Sequence, residues 1–209
     1  MKQKNPNRVE AGRRAKLDGH IEEDNSAARL SESTGYEHVT KVGNKTKTKR
    51  DVICEELGDY YSQKSTSGGK NTQCHLTSQD VWCRYFKITD EVRDGLGLFF
   101  GTPGTDVSNG TNRQRRFFGN EKLNQKVLKW FNDHKMETFD AIVREGIYLD
   151  KKTNVISVGE PVNKMIWYNK LTKEENIYNI QDIADVVKDG HWILRPTTLW
   201  FMDANENKL

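Results

Sequence analysis

The sequence predicts an α/β protein, and three observations carry that expectation. Apolar residues recur at helical spacing in the N-terminal region, and four short segments rich in β-branched and aromatic residues follow, separated by Gly, Asn and Ser. Helical periods and strand-like runs then alternate to the last residue. At 209 residues, 34% hydrophobic and 30% charged, the chain is long enough to bury a core within one domain, and its 10% aromatic content excludes a wholly disordered polymer. No apolar run reaches the roughly 18 to 20 residues that cross a bilayer, and the N-terminal MKQKNPNRVEAGRRAK has no apolar signal core, so a soluble, cytoplasmic protein is expected. Cys54, Cys74 and Cys83 are odd in number and lack C-x-x-C spacing, which predicts reduced thiols rather than a disulfide or zinc framework.

Residues 1–16 show no apolar period and are expected to form a flexible basic arm, with a single domain over 17–209. In LDGHIEEDNSAARL, Leu17, Ile21 and Ala28 share one helical face, and Gly35 suits the end of that helix. YEHVTKVG, DVICEEL and YYSQKS read as strands, the last two joined at Gly58-Asp59. TQCHLTS reads as a fourth, reached through Ser67-Gly68-Gly69-Lys70. Ser78 can cap a helix over QDVWCRYF, and Asp90 a second short helix ending before the glycines of GLGLFFGTPG. The Gly-, Thr- and Asn-rich stretch from Gly101 to Asn112 reads as a long surface loop. Leu123, Val127, Trp130 and Phe131 mark the next helix, and METFDAIVREG another, stopped by Gly146. NVISV, KMIWYN and WILRPTTLWFMD return to strand, with NIQDIADVVKDG helical between them. After WFMD the chain ends where a returning strand would begin, which predicts either truncation at Leu209 or an edge covered from elsewhere.

The net charge of +3 is too small to identify a nucleic-acid binder by itself, but its distribution is uneven. Cations cluster at Lys2 to Lys16, at Lys41 to Arg50, and in NGTNRQRRFFGN. Lys47, Lys49, Arg50, Lys70, Arg113, Arg115 and Arg116 are the candidate phosphate or base contacts, and a solvated surface is the alternative for each cluster. The hairpin over 49–65 is where chemistry would sit. Strand alternation places Asp51, Ile53 and Glu55 on one face, and Ser62 with Lys64 on one face of the next strand, so a hairpin brings Asp51 and Lys64 together. A carboxylate can hold hydrated Mg²⁺ against a phosphate, and a neighbouring lysine can orient the attacking water. Asp51 also suits a strand end that accepts backbone donors, and Lys64 an edge-strand lysine that deters aggregation.

From about Gly19 to Ser78 the sequence resembles the PD-(D/E)XK nucleases, and among them the Type II restriction endonucleases. The resemblance rests on GHIE in the first helix, the lysine-rich strand start KTKTKRDV, and SQKS in the following strand. It implies a restriction-endonuclease-like central mixed sheet flanked by helices, and Mg²⁺-dependent, sequence-specific hydrolysis of double-stranded DNA by a homodimer acting on palindromic sites. By the same analogy Asp51 and Glu22 hold the metal, Lys64 is catalytic, and 78–146 supplies the recognition helices and loops. Two positions depart from the family pattern: Arg50 stands where Pro is common, and Ser62 where a carboxylate is usual. A neutral hydroxyl is a weak Mg²⁺ ligand, so another acid is expected to substitute. Glu22 ranks first, Asp80 second and Glu55 last, since Glu55 lies about 13 Å beyond Asp51 along a strand. Glu23 adjoins Glu22 as a further possibility. The rival reading is a non-catalytic DNA-binding protein that uses the same basic clusters.

Overall fold

The computed structural model describes residues 6–42, 48–66, 78–100, 118–195 and 199–205. The chain is mixed α/β and divides into two compact units, each interrupted in sequence. Described residues 6–42, 50–66 and 162–179 make the first unit, and 48–49, 78–100, 118–161, 180–195 and 199–205 the second. The hairpin over 49–65 thus falls almost wholly in the first unit, and the helices over 78–146 in the second.

The first unit packs helix α1 (Pro6–Thr34) on a five-stranded mixed sheet. Its strands are β1 (Val39–Lys41), β2 (Val52–Cys54), β3 (Asp59–Thr66), β6 (Lys164–Asn169) and β7 (Glu175–Asn179), in that spatial order. All neighbours are antiparallel except β3 and β6, which run parallel with Lys64 opposite Trp167. The expected basic arm is instead helix from Pro6 onward. Good helix formers crowd this stretch, an i,i+4 pair joins Glu10 to Arg14 at 3.3 Å, and Pro at the first helical position loses no hydrogen bond.

The buried face of α1 also differs from expectation. Leu17 and Ile21 are 58% and 49% exposed, whereas Glu22, Ser26, Ala27 and Leu30 are buried. Ala27 and Leu30 pack with Val52, Cys54, Tyr61 and Ile166 to form the core under the helix. The inward stripe is half polar, so a search for apolar periodicity selects the wrong side. Gly35, with φ of +74°, ends the helix as expected, its N–H donating to the Ser31 carbonyl at 2.8 Å.

The second unit holds α2 (Gln79–Tyr85), α3 (Asp90–Phe100), α4 (Glu121–Asp133), α5 (Lys135–Phe139) and α6 (Ile180–Asp189). Two hairpins accompany them: β4 (Ile147–Leu149) with β5 (Ile156–Val158), and β8 (His191–Leu194) with β9 (Leu199–Met202). Ser78 caps α2 as expected, accepting from Val81 N–H. Helix α3 does not stop before its glycines but runs through Gly95 and Gly97. A Cβ at Gly95 would meet Val127 Cγ2 at 2.5 Å, so the missing side chain is what lets α3 lie close against α4. METFDAIVREG is α-helical only to Phe139 and then widens into a π turn over Asp140–Arg144 before Gly146. The final segment is a hairpin rather than one strand: Trp192 pairs with Phe201 and Leu194 with Leu199, so β9 finds its partner in the preceding strand. The core of this unit is aromatic, with Trp82 lying 4.7 Å from Phe86 and 5.8 Å from Phe131, and Trp192 5.1 Å from Phe201, between ring centroids. The fourth strand expected at TQCHLTS and the loop from Gly101 to Asn112 lie outside the described residues. Among the described residues no helix is long and apolar enough to cross a membrane.

Candidate functional site

The β2–β3 hairpin builds the site. Gly58 takes φ of +65° at the end of the Glu55–Gly58 turn, a backbone state that favours glycine, and donates to the Glu55 carbonyl at 3.2 Å. The strands then pair Val52 with Tyr61 and Cys54 with Asp59, while Asp51 N–H donates to the Tyr61 carbonyl at 2.8 Å. Because side chains alternate, Val52, Cys54, Tyr61 and Gln63 face α1, and Asp51, Ile53, Tyr60, Ser62 and Lys64 occupy the opposite face.

On that opposite face three polar side chains converge. The Asp51 carboxylate, through Oδ2, accepts from the Gln63 backbone N–H at 2.7 Å and from the Ser62 hydroxyl at 3.3 Å. Lys64 Nζ donates to Ser62 Oγ at 2.7 Å and to the Gln63 carbonyl at 3.1 Å, and lies 3.7 Å from Asp51 Oδ2. Ser62 has no exposed surface, whereas the Lys64 side chain is 35% exposed. The Asp51 side chain is 25% exposed, so the cluster is reachable through its ammonium and its carboxylate, not through the serine. Arg50 precedes Asp51 in the chain and places its guanidinium carbon 3.7 Å from the centre of the Tyr60 ring.

Glu22 is not brought to this cluster. It belongs to α1, on the far face of the sheet, where its carboxylate accepts from Arg29 at 3.1 Å. Arg29 also donates to Glu175 at 2.8 Å and to Ser26 Oγ at 2.9 Å, and its guanidinium stacks over Tyr168 at 4.1 Å. Burial opposes the charge on Arg29, but Glu175 and then Glu22 outweigh it and hold the guanidinium above its ordinary pKa. The sequence reading missed Arg29, Ser26 and Glu175. The available signal was the spacing Glu22, Ser26, Arg29, which places a polar stripe on one helical face.

The other proposed acids are also engaged elsewhere. Glu23 lies 3.1 Å from His20 Nδ1 and 3.8 Å from Lys41 Nζ. Glu55 stands not on the strand but in the turn, since β2 ends at Cys54, and is exposed there. Asp80 is in the second unit, paired with Arg84 at 3.2 Å in the first turn of α2. Lys49, also in the second unit, lines a cavity of about 60 Å³ beside Trp82 and Tyr148. Lys47, Lys70, Arg113, Arg115 and Arg116 lie outside the described residues.

The oxygens gathered around Lys64 Nζ are one carboxylate, one hydroxyl and one backbone carbonyl. Among the described residues no group of three or more His, Cys, Asp or Glu side chains is placed to hold a metal ion. A single carboxylate still meets the minimum for Mg²⁺ when substrate phosphate oxygens and water complete the shell. No protein-family model matches the chain, and no curated protein matches it in sequence.

Proposed function

We propose that this protein is a Mg²⁺-dependent endonuclease that hydrolyses phosphodiester bonds of double-stranded DNA, with a restriction-endonuclease-like first unit, acting as a sequence-specific homodimer in the cytoplasm. The observation that carries the reading is the convergence of Asp51, Ser62 and Lys64 on one hairpin face, with Lys64 Nζ 3.7 Å from the Asp51 carboxylate. Asp51 is the residue that would hold Mg²⁺, which supplies electrostatic stabilisation of the charge developing on the phosphate. Lys64, anchored by two hydrogen bonds yet partly exposed, has the position and charge to orient a water against the phosphate and to stabilise its hydroxide form. Arg50, whose guanidinium lies over the Tyr60 ring, suits a neighbouring phosphate.

The test is to incubate supercoiled plasmid with the protein in Mg²⁺ or in EDTA, alongside Asp51→Ala and Lys64→Ala. Discrete Mg²⁺-dependent fragments from wild type, and none from either variant, support the proposal; cleavage by either variant at the wild-type rate removes that residue from the mechanism. The rival reading, DNA binding without hydrolysis, draws on the lack, among the described residues, of any group of three or more His, Cys, Asp or Glu side chains placed to hold a metal ion. It predicts a gel shift that is equal in Mg²⁺ and EDTA, with intact plasmid in both.

A further inference from the structure

Ser62 occupies the position where the proposed nuclease reading leads one to expect a metal-binding acid, yet its surroundings suit a different task. Its side chain is wholly buried, so no hydrated ion can reach the hydroxyl from solvent. The hydroxyl is also already committed: its proton points to Asp51 Oδ2 at 3.3 Å, and its oxygen accepts from Lys64 Nζ at 2.7 Å. With the Gln63 carbonyl at 3.1 Å, Lys64 is tied at two of its three N–H bonds and directs the third away from these anchors.

We infer that Ser62 is a positioning residue that clamps the Lys64 ammonium beside Asp51, and is not a ligand of the metal ion. The inference deepens the proposed nuclease function and rests on it for its catalytic consequence, although the clamp itself rests only on the geometry. An ammonium on a four-carbon stem samples many rotamers, and two anchors on one strand restrict it to the region next to the carboxylate. A carboxylate at this position would hold an ion. The neutral hydroxyl instead joins the Asp51 carboxylate and the Lys64 ammonium by a chain of hydrogen bonds.

Two measurements on the full chain test this. In the first, every lysine is acetylated at limiting reagent and quantified by mass spectrometry in wild type, Ser62→Ala and Ser62→Thr. The Lys64 rate, normalised to exposed lysines, should rise severalfold in Ser62→Ala and stay near wild type in Ser62→Thr, which keeps the hydroxyl on a residue suited to strands. Unchanged Lys64 reactivity in Ser62→Ala, or an equal rise in Ser62→Thr, overturns the clamp whether or not the protein cuts DNA. In the second, plasmid cleavage is titrated with Mg²⁺. Loss of a hydrogen bond to a charged group should lower the maximal rate of Ser62→Ala about tenfold or more, with the half-saturating Mg²⁺ concentration unchanged and the rate rescued in Ser62→Thr. A raised half-saturating Mg²⁺ concentration with the maximal rate recovered would make Ser62 a ligand and overturn the inference. If wild type cuts nothing while the acetylation pattern holds, the nuclease reading fails and the clamp stands.

Discussion

Removing the charge of Arg29 separates a structural role for Glu22 from a metal-binding one. The Glu22, Arg29 and Glu175 side chains are 8%, 32% and 20% exposed, so Arg29→Met leaves two poorly solvated carboxylates without the cation they share. Breaking a fully buried pair from one side costs about 3 to 5 kcal/mol, and the partial exposure of Arg29 reduces this to about 2 to 3 kcal/mol. Loss of the stack over Tyr168 falls within that range. With a urea dependence of about 2 kcal/mol per molar, the unfolding midpoint should fall by about 1 to 1.5 M. Glu22→Gln keeps an acceptor for Arg29 and leaves Glu175 in place, so its midpoint should fall by about half as much or less. Circular dichroism in a urea series measures both. Because Glu22 lies across the sheet from Asp51, Glu22→Gln should also leave the Mg²⁺ dependence of the proposed cleavage unaltered. An Arg29→Met midpoint at the wild-type value would refute the energetic argument. A Glu22→Gln variant with wild-type stability but a higher Mg²⁺ requirement would return Glu22 to the metal site.

Three further outcomes are expected. Asp80→Asn should cost only about 0.3 to 1 kcal/mol, through weakened interaction with the α2 dipole and Arg84, and should leave any Mg²⁺ titration unmoved; a shifted titration would assign Asp80 to the metal. Gly95→Ala should lower the melting temperature by about 2 to 8 °C, because its Cβ would meet Val127 Cγ2 at 2.5 Å and overpacking outweighs the gain in helix propensity. Gly19→Ala, with no atom within 4 Å of the added Cβ, should raise it slightly, and equal effects at the two glycines would refute the packing argument. His38, 2.8 Å from Glu56, has its pKa raised by that hydrogen bond, while Glu56 is lowered, first by the backbone N–H of His38. The ion pair is complete above the ordinary Glu56 value of 4.5 and below the ordinary His38 value of 6.5; it fades as pH rises through the raised His38 midpoint or falls through the lowered Glu56 midpoint. An NMR titration of Glu56→Gln should return His38 toward 6.5, and an unmoved midpoint would discount the pair.

The β2–β3 hairpin was legible in the sequence because its determinants are local. Period-two alternation puts Asp51, Ser62 and Lys64 on one face, and a glycine able to take positive φ closes the turn between the strands. The caps and stops at Ser78, Gly35 and Gly146 were legible for the same reason, since each depends on backbone geometry within one helical turn. Strand β7 escaped notice because it is an edge strand, exposed over most of its length and without a period to read. Gly95 looked like a helix breaker because its value lies in Val127, more than thirty residues away.

The placement of Glu22 shows most clearly what tertiary structure alone decided. In sequence it is an acid on a helix that precedes an aspartate, and the choice between metal ligand and ion-pair partner depends on which side of the sheet that helix packs. That side is set by Ala27 and Leu30 fitting against Val52, Cys54, Tyr61 and Ile166, and by Glu175 arriving on β7 to share Arg29. Ile166 reaches this core, and Glu175 reaches Arg29, through the antiparallel pairing of β6 with β7 and the parallel pairing of β3 with β6, the latter a contact between segments about a hundred residues apart. Local pattern can state which residues share a face of a strand. Which face is covered, and by what, follows from long-range packing that no single window of sequence contains.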